Sequence, residues 1–255
     1  MDKSLKVLIV DDDMRMARTL ASVLAVKGYE SVTSVSACDA LEKVKGGSIG
    51  CVVSDIKMPG INGVELCRAV KGLRRELPLV LMTAYSSDEL VRRGLSEGAV
   101  AVLSKPLDLD RLLRFFSLLY GDRSVVVLDD DLQFGYLVAE MLGEGGYSVK
   151  VVGDPGELDE VLGVEGQVLV LGTHSGGKCS ELEVLRAIRE GYPELPAVLV
   201  EETRGEVSCE RDELLSMGVA GTLSKPFEIE ELSRLLDRVY LQMSRRILEQ
   251  VFMID

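Results

Sequence analysis

A pattern that repeats at a fixed offset constrains this chain more than any other feature. Leu8-Ile9-Val10 runs into Asp11-Asp12-Asp13, and Val125–Leu128 runs into Asp129-Asp130-Asp131, 118 residues later. Gly28-Tyr29 returns as Gly146-Tyr147 and Leu77-Pro78 as Leu195-Pro196, both at the same offset. Ser104-Lys105-Pro106 returns as Ser224-Lys225-Pro226 at an offset of 120, so the second copy carries two extra residues. Self-similarity at this period means a duplicated domain. Two copies of this size account for nearly all of the 255 residues. The spacing places one domain over residues 1–121, a second over 124–241, and a helical extension over 242–255.

Within the first copy, short apolar runs alternate with amphipathic ones. Strands are expected at Lys6–Val10, Ser31–Val35, Cys51–Ser54, Leu79–Met82 and Val100–Leu103. Helices are expected at Met14–Lys27, Ala37–Lys45, Val64–Leu73, Asp88–Glu97 and Asp108–Tyr120. Strict alternation of this kind gives a doubly wound α/β domain around a parallel sheet. In such sheets the chemistry lies beyond the carboxyl ends of the strands. The residues found there are Asp11 and Asp12, then Asp55 ahead of a Pro59-Gly60 and Asn62-Gly63 turn, then Thr83, then Lys105-Pro106. Side by side, Asp11, Asp12 and Asp55 are expected to meet at one rim. Carboxylates that close repel one another and call for a counter-charge. A hard divalent cation such as Mg2+, held by oxygens and several waters, supplies it.

The ordered set Asp11-Asp12, Asp55-x-x-Met58-Pro59-Gly60, Thr83-Ala84 and Lys105-Pro106 resembles the receiver domain of bacterial two-component response regulators. The resemblance covers about 120 residues, one domain. It implies two flavodoxin-like (βα)5 folds, each with a five-stranded parallel sheet in the order 2-1-3-4-5. It also implies that Asp55 is a phosphoacceptor taking its phosphoryl group from a phosphohistidine on a sensor kinase or a histidine phosphotransfer protein. Asp11, Asp12, Asp55 and the backbone carbonyl of Lys57 would hold Mg2+, while Thr83 and Lys105 would meet the phosphoryl oxygens. Lys105-Pro106 is a candidate cis bond. A receiver is a phosphoacceptor and is not expected to be an enzyme beyond its own phosphorylation and dephosphorylation.

Two departures from the receiver pattern stand out. Val102 occupies the place of the aromatic that usually precedes the lysine by three residues, so another lever must accompany activation, with Tyr85 the nearest substitute. Lys57 and Tyr85 flank the path of attacking water and are expected to slow loss of the acyl phosphate.

The second copy differs chemically. At the place of Asp55 stands Gly172 or Thr173, according to where a one-residue gap falls, and neither is a carboxylate. Glu201 takes the place of Thr83, while the acidic pair and Lys225 persist. The second copy therefore resembles a degenerate receiver without a phosphoacceptor, serving as an interaction or regulatory module. A contact of Lys225 with Asp129, Asp130 or Glu201 is expected to lock its site. His174, the sole histidine, reads as an ordinary loop residue.

Composition narrows the partners. The net charge of −13, with no Lys/Arg block, argues against direct nucleic-acid or anionic-membrane binding. No apolar run spans a bilayer and no signal-peptide core opens the chain. Five scattered cysteines without a C-x-x-C fit free thiols in the cytoplasm. A different class of protein, a Mg2+-dependent phosphatase or phosphotransferase acting on a small molecule, would need a general acid two residues after its Asp nucleophile. Lys57 stands there instead. At the C-terminus, Ile247, Leu248, Val251, Phe252 and Ile254 extend an apolar pattern past what the domain needs. A projecting helix and a homodimer through it are expected from this.

Overall fold

The computed structural model describes residues 6–84, 88–121, 123–163, 166–172, 181–201, 213–214 and 216–249. The chain divides into two compact units. One runs to Ser117 and takes in the chain from Ser244 onward; the other is Leu118–Met243.

In the first unit the strands are β1 (Lys6–Val10), β2 (Ser31–Ser34), β3 (Ile49–Asp55), β4 (Leu79–Thr83) and β5 (Ala101–Ser104). They pair in the order β2-β1-β3-β4-β5, all parallel. The helices are α1 (Met14–Val26), α2 (Ala37–Lys45), α3 (Gly63–Leu73), α4 (Asp88–Ser96) and α5 (Leu109–Tyr120). Strands β3 and β4 are buried along their whole length, as expected for central parallel strands covered on both faces. Leu8, Val10, Val52, Leu66, Val70 and Leu81 share one core cluster, which joins the sheet to the apolar face of α3.

Local signals start the helices where the strands deliver the chain. Asp13 caps α1 by accepting from the Arg15 N–H. Asn62 and Glu65 form a reciprocal capping box at α3, leaving fewer orphan donors in its first turn. Gly63 opens α3 because the Asp55 carbonyl occupies the space a side chain would need. A Cβ there would stand 2.2 Å from that oxygen. This close approach sets the course of the loop from Ile56 to Asn62 under the rim.

The second unit repeats the plan with β6 (Arg123–Leu128), β7 (Tyr147–Val152), β8 (Gln167–Gly172), β9 (Ala197–Glu201) and β10 (Val219–Ser224). Their order, β7-β6-β8-β9-β10, is again 2-1-3-4-5. Helix α6 (Leu132–Glu144) and the final helix α9 (Ile229–Glu249) bury Val138, Leu142, Leu232, Leu236 and Tyr240 in one core. The short α7 (Leu158–Val161) and α8 (Glu181–Gly191) contribute Leu158, Leu185 and Ile188 to another.

The final helix corrects one expectation. Ile247 and Leu248 were to project, yet Leu248 is fully buried within the single chain, and Ile247 is partly buried. Val251, Phe252 and Ile254 lie outside the described residues. No described helix is long and apolar enough to cross a membrane.

Candidate functional site

The parallel register brings the functional residues to one rim. Val10 pairs with Ser54, so the next residues, Asp11 and Asp55, leave adjacent strands side by side. Thr83 ends β4 opposite Ser104, and the Lys105 N–H donates to the Thr83 carbonyl at 2.7 Å. Lys105 therefore emerges beside Thr83. Its ammonium lies 2.8 Å from Asp11 Oδ2 and 2.8 Å from Asp55 Oδ1. Backbone groups take up the other carboxylate oxygens: Asp13 N–H donates to Asp11 Oδ1 and Lys57 N–H to Asp55 Oδ2. The Lys105-Pro106 bond is cis.

The electrostatics follow from burial. Asp11 is 2% exposed and Asp55 7%. Burial raises the Asp55 carboxyl above its ordinary range and the Asp11 charge adds to this, while Lys105 and the Lys57 N–H oppose it. Burial also disfavours the Lys105 charge, but its bonds to Asp11 and Asp55 outweigh that and hold the ammonium above its usual value.

The expected meeting of three carboxylates is corrected. Asp11 and Asp55 converge; Asp12 stays exposed at the rim. Successive residues leaving a strand face opposite ways, so neighbours in sequence do not share a site automatically. Lys105 supplies one positive charge between the two acids. Among the described residues no three His, Cys, Asp or Glu side chains converge to hold a metal. The rim nevertheless fits a hard cation. Its donors are oxygens, its carboxylates outnumber its one ammonium, and Asp12 is open to solvent beside them. Such a site suits an ion that keeps most of its waters. Lys57 is exposed, and Tyr85 lies outside the described residues. Val102 is buried in the core cluster beneath α4, where a Cβ on Gly94 would stand 3.2 Å from its Cγ2.

Removing Lys105 should expose the strain between the two acids. In buffer with a metal chelator, Lys105→Met is expected to destabilise the first unit by about 2 kcal/mol, because two largely buried carboxylates lose their shared cation. Urea denaturation followed by circular dichroism measures this. A change within experimental error would show that the pair needs no counter-charge.

The second unit has a rim at the corresponding strand ends. Leu128 pairs with Leu171, as Val10 pairs with Ser54, so Gly172 and not Thr173 stands in the place of Asp55. Glu201 faces Ser224, as Thr83 faces Ser104. A Cβ on Gly172 would lie 2.1 Å from Asp129 Oδ2, so the Asp129 carboxylate fills the space a phosphoacceptor side chain would need. Lys225 meets that carboxylate at 3.0 Å, and its ammonium stands 3.8 Å above the Phe134 ring. Phe227 packs edge-on against Phe134 at 6.0 Å between centroids. The sequence reading foresaw the Lys225–Asp129 contact but not this aromatic cover. Phe134 and Lys225 are far apart in sequence, so no local pattern joins them. His174 lies outside the described residues.

Residues 7–116 match the family model of the response regulator receiver domain. Those residues form a receiver domain. Receivers are signalling phosphoacceptors, and a domain of this family implies two-component signalling. A response regulator receiver protein from Anaeromyxobacter sp. (strain Fw109-5) is 24% identical over 243 residues, covering 95% of this chain and 98% of that protein. The transcriptional regulatory protein ZraR of Klebsiella oxytoca is 36% identical over 106 residues, 42% of this chain. The match spans only 24% of ZraR's own length. Among solved structures, a CheY-like receiver domain protein from Methanospirillum hungatei is 32% identical, covering 45% of this chain and 92% of that one, with a TM-score of 0.43.

Proposed function

We propose that the first receiver accepts a phosphoryl group on Asp55 from a phosphohistidine of a sensor kinase or histidine phosphotransfer protein. The second unit is a degenerate receiver that serves as an interaction or regulatory module. The observation that carries the reading is the shared ammonium: Lys105 joins Asp11 and Asp55 at the ends of adjacent parallel strands, next to Thr83. A carboxylate oxygen of Asp55 would attack phosphorus, the phosphorus–nitrogen bond would break, and the electron pair would leave with the imidazole. Lys105, already at the rim, would exchange a carboxylate partner for a phosphoryl oxygen. The Thr83 hydroxyl would donate to another.

Asp11, Asp12, Asp55 and the Lys57 carbonyl are the groups that would hold Mg2+. When bound, the ion supplies positive charge that offsets the repulsion between carboxylate and phosphoryl oxygens. Free thiols at Cys38, Cys51 and Cys67 support a cytoplasmic setting. The final helix is also the element through which two chains would pair as a homodimer.

The test is incubation with Mg2+ and a small acyl-phosphate donor, followed by intact mass measurement. One phosphoryl group per chain is expected, and none with the metal chelated. Steady turnover of a generic phosphomonoester would instead support a phosphatase, which Lys57 in the general-acid position argues against.

A further inference from the structure

The proposal concerns α6, the first helix of the second unit, and rests on the reading of that unit as an interaction module. Leu132, Tyr136, Leu137 and Met141 on this helix are 43%, 61%, 54% and 41% exposed. The fold does not demand this. Helix α1 of the first unit has the same 13-residue length and starts 118 positions earlier. It carries Arg18 and Thr19 where α6 carries Tyr136 and Leu137.

The charges around the face point one way. Asp130, Asp131, Glu140 and Glu144 are exposed on or beside α6, and no Lys or Arg occurs between Arg123 and Lys150. Glu140 and Glu144 are a like-charged pair one turn apart, and they lie toward the helix C-terminus, where the helix dipole favours cations. Both features cost the helix stability when the unit stands alone. The equivalent residues of α1 are Ser22 and Val26. An external cation removes both costs.

We propose that α6 docks a basic amphipathic helix of a partner protein. Its apolar stripe would cover Tyr136, Leu137 and Met141, and its flanking Lys or Arg residues would meet Glu140 and Glu144. The same acids exclude the other occupants. Nucleic acid and anionic lipid carry the wrong sign. A second copy pairing through this face would set acids against acids.

The test uses the full chain and a fluorescein-labelled helical peptide of leucine and lysine, about five turns long, with a leucine–glutamate peptide as control. The lysine peptide is expected to bind and to weaken with salt, and the glutamate peptide not to bind. Tyr136→Arg with Leu137→Thr gives α6 the residues of α1 at exposed positions and should weaken binding at least about tenfold, the cost of losing a central aromatic anchor. Glu140→Gln with Glu144→Gln should also weaken it while leaving the melting temperature the same or higher, which separates docking from folding. Hydrogen exchange locates the contact. Protection on α6, lost in the first variant, supports the proposal. Protection elsewhere in the second unit overturns the surface but leaves the module reading standing. Protection confined to residues 6–117, or no binding up to about 100 micromolar, a concentration that detects weak peptide docking, overturns both. Self-association abolished by the first variant would make a second copy the occupant and overturn the proposal.

Discussion

Asp55→Asn is expected to reduce phosphoryl uptake from one group per chain to none. Asp55 is the carboxylate that ends β3 at the rim, and its counterpart on β8 is Gly172. An amide oxygen of similar shape cannot serve as the nucleophile, while Lys105 keeps its bond to Asp11. Loss of uptake should therefore occur without loss of fold. Burial raises the Asp55 carboxyl, so the folded state favours its protonated form. That contribution to stability is present at low pH and is lost as pH climbs through the folded-state value. In metal-free buffer the Asn variant should melt at neutral pH no lower than the native chain. Gly172→Asp in the same background should not restore uptake, because its Cβ would stand 2.1 Å from Asp129 Oδ2 in a carboxylate already pinned by Lys225. A phosphoryl group that persists on Asp55→Asn would falsify the assignment of Asp55.

The strands were legible because each is an apolar run bounded by turn residues, and central parallel strands leave little ambiguity about which side is buried. Their ends were less so. Asp55 is the last residue of β3 rather than the first beyond it. Within the site, Asp55, Thr83 and Lys105 reach one rim as the strand order implies, while Asp12 stays exposed beside it, since adjacency in a chain does not decide which side chain turns inward. The gap that left Gly172 and Thr173 as alternatives is a question of register, and only the pairing of Leu128 with Leu171 answers it. The aromatic cover on Lys225 depends on a contact across the unit that no local pattern encodes. Arg123 makes a second contact of this kind: it is the first residue of β6 and only 4% exposed, and no local pattern marks it as buried.

That buried arginine sets the second large expected effect. Arg123→Met should destabilise the second unit by about 3 kcal/mol, the lower end for breaking a buried ion pair from one side, since Asp237 is partly exposed. The guanidinium bonds to Asp237 and, at 3.0 Å, to the Tyr147 hydroxyl, and it donates to the Leu119 carbonyl at 2.9 Å. Its central carbon lies 5.3 Å from the ring centres of both Tyr147 and Tyr240. Methionine fills much of the volume but leaves the Leu119 carbonyl and one Asp237 oxygen without their cationic donor. The tyrosines persist as neutral phenols, because burial holds both well above their ordinary range, and Tyr240 still donates to the Ser124 carbonyl at 2.7 Å. The loss should therefore be electrostatic rather than a collapse of packing. Adding Asp237→Asn should then cost less than it does alone, giving a coupling energy of about 1 kcal/mol or more for groups in direct contact. Urea titration with hydrogen exchange read on β6 and β7 assigns the transition to this unit. A loss below about 1 kcal/mol, close to the range of ordinary surface substitutions, would mean that the ring packing alone holds the start of β6.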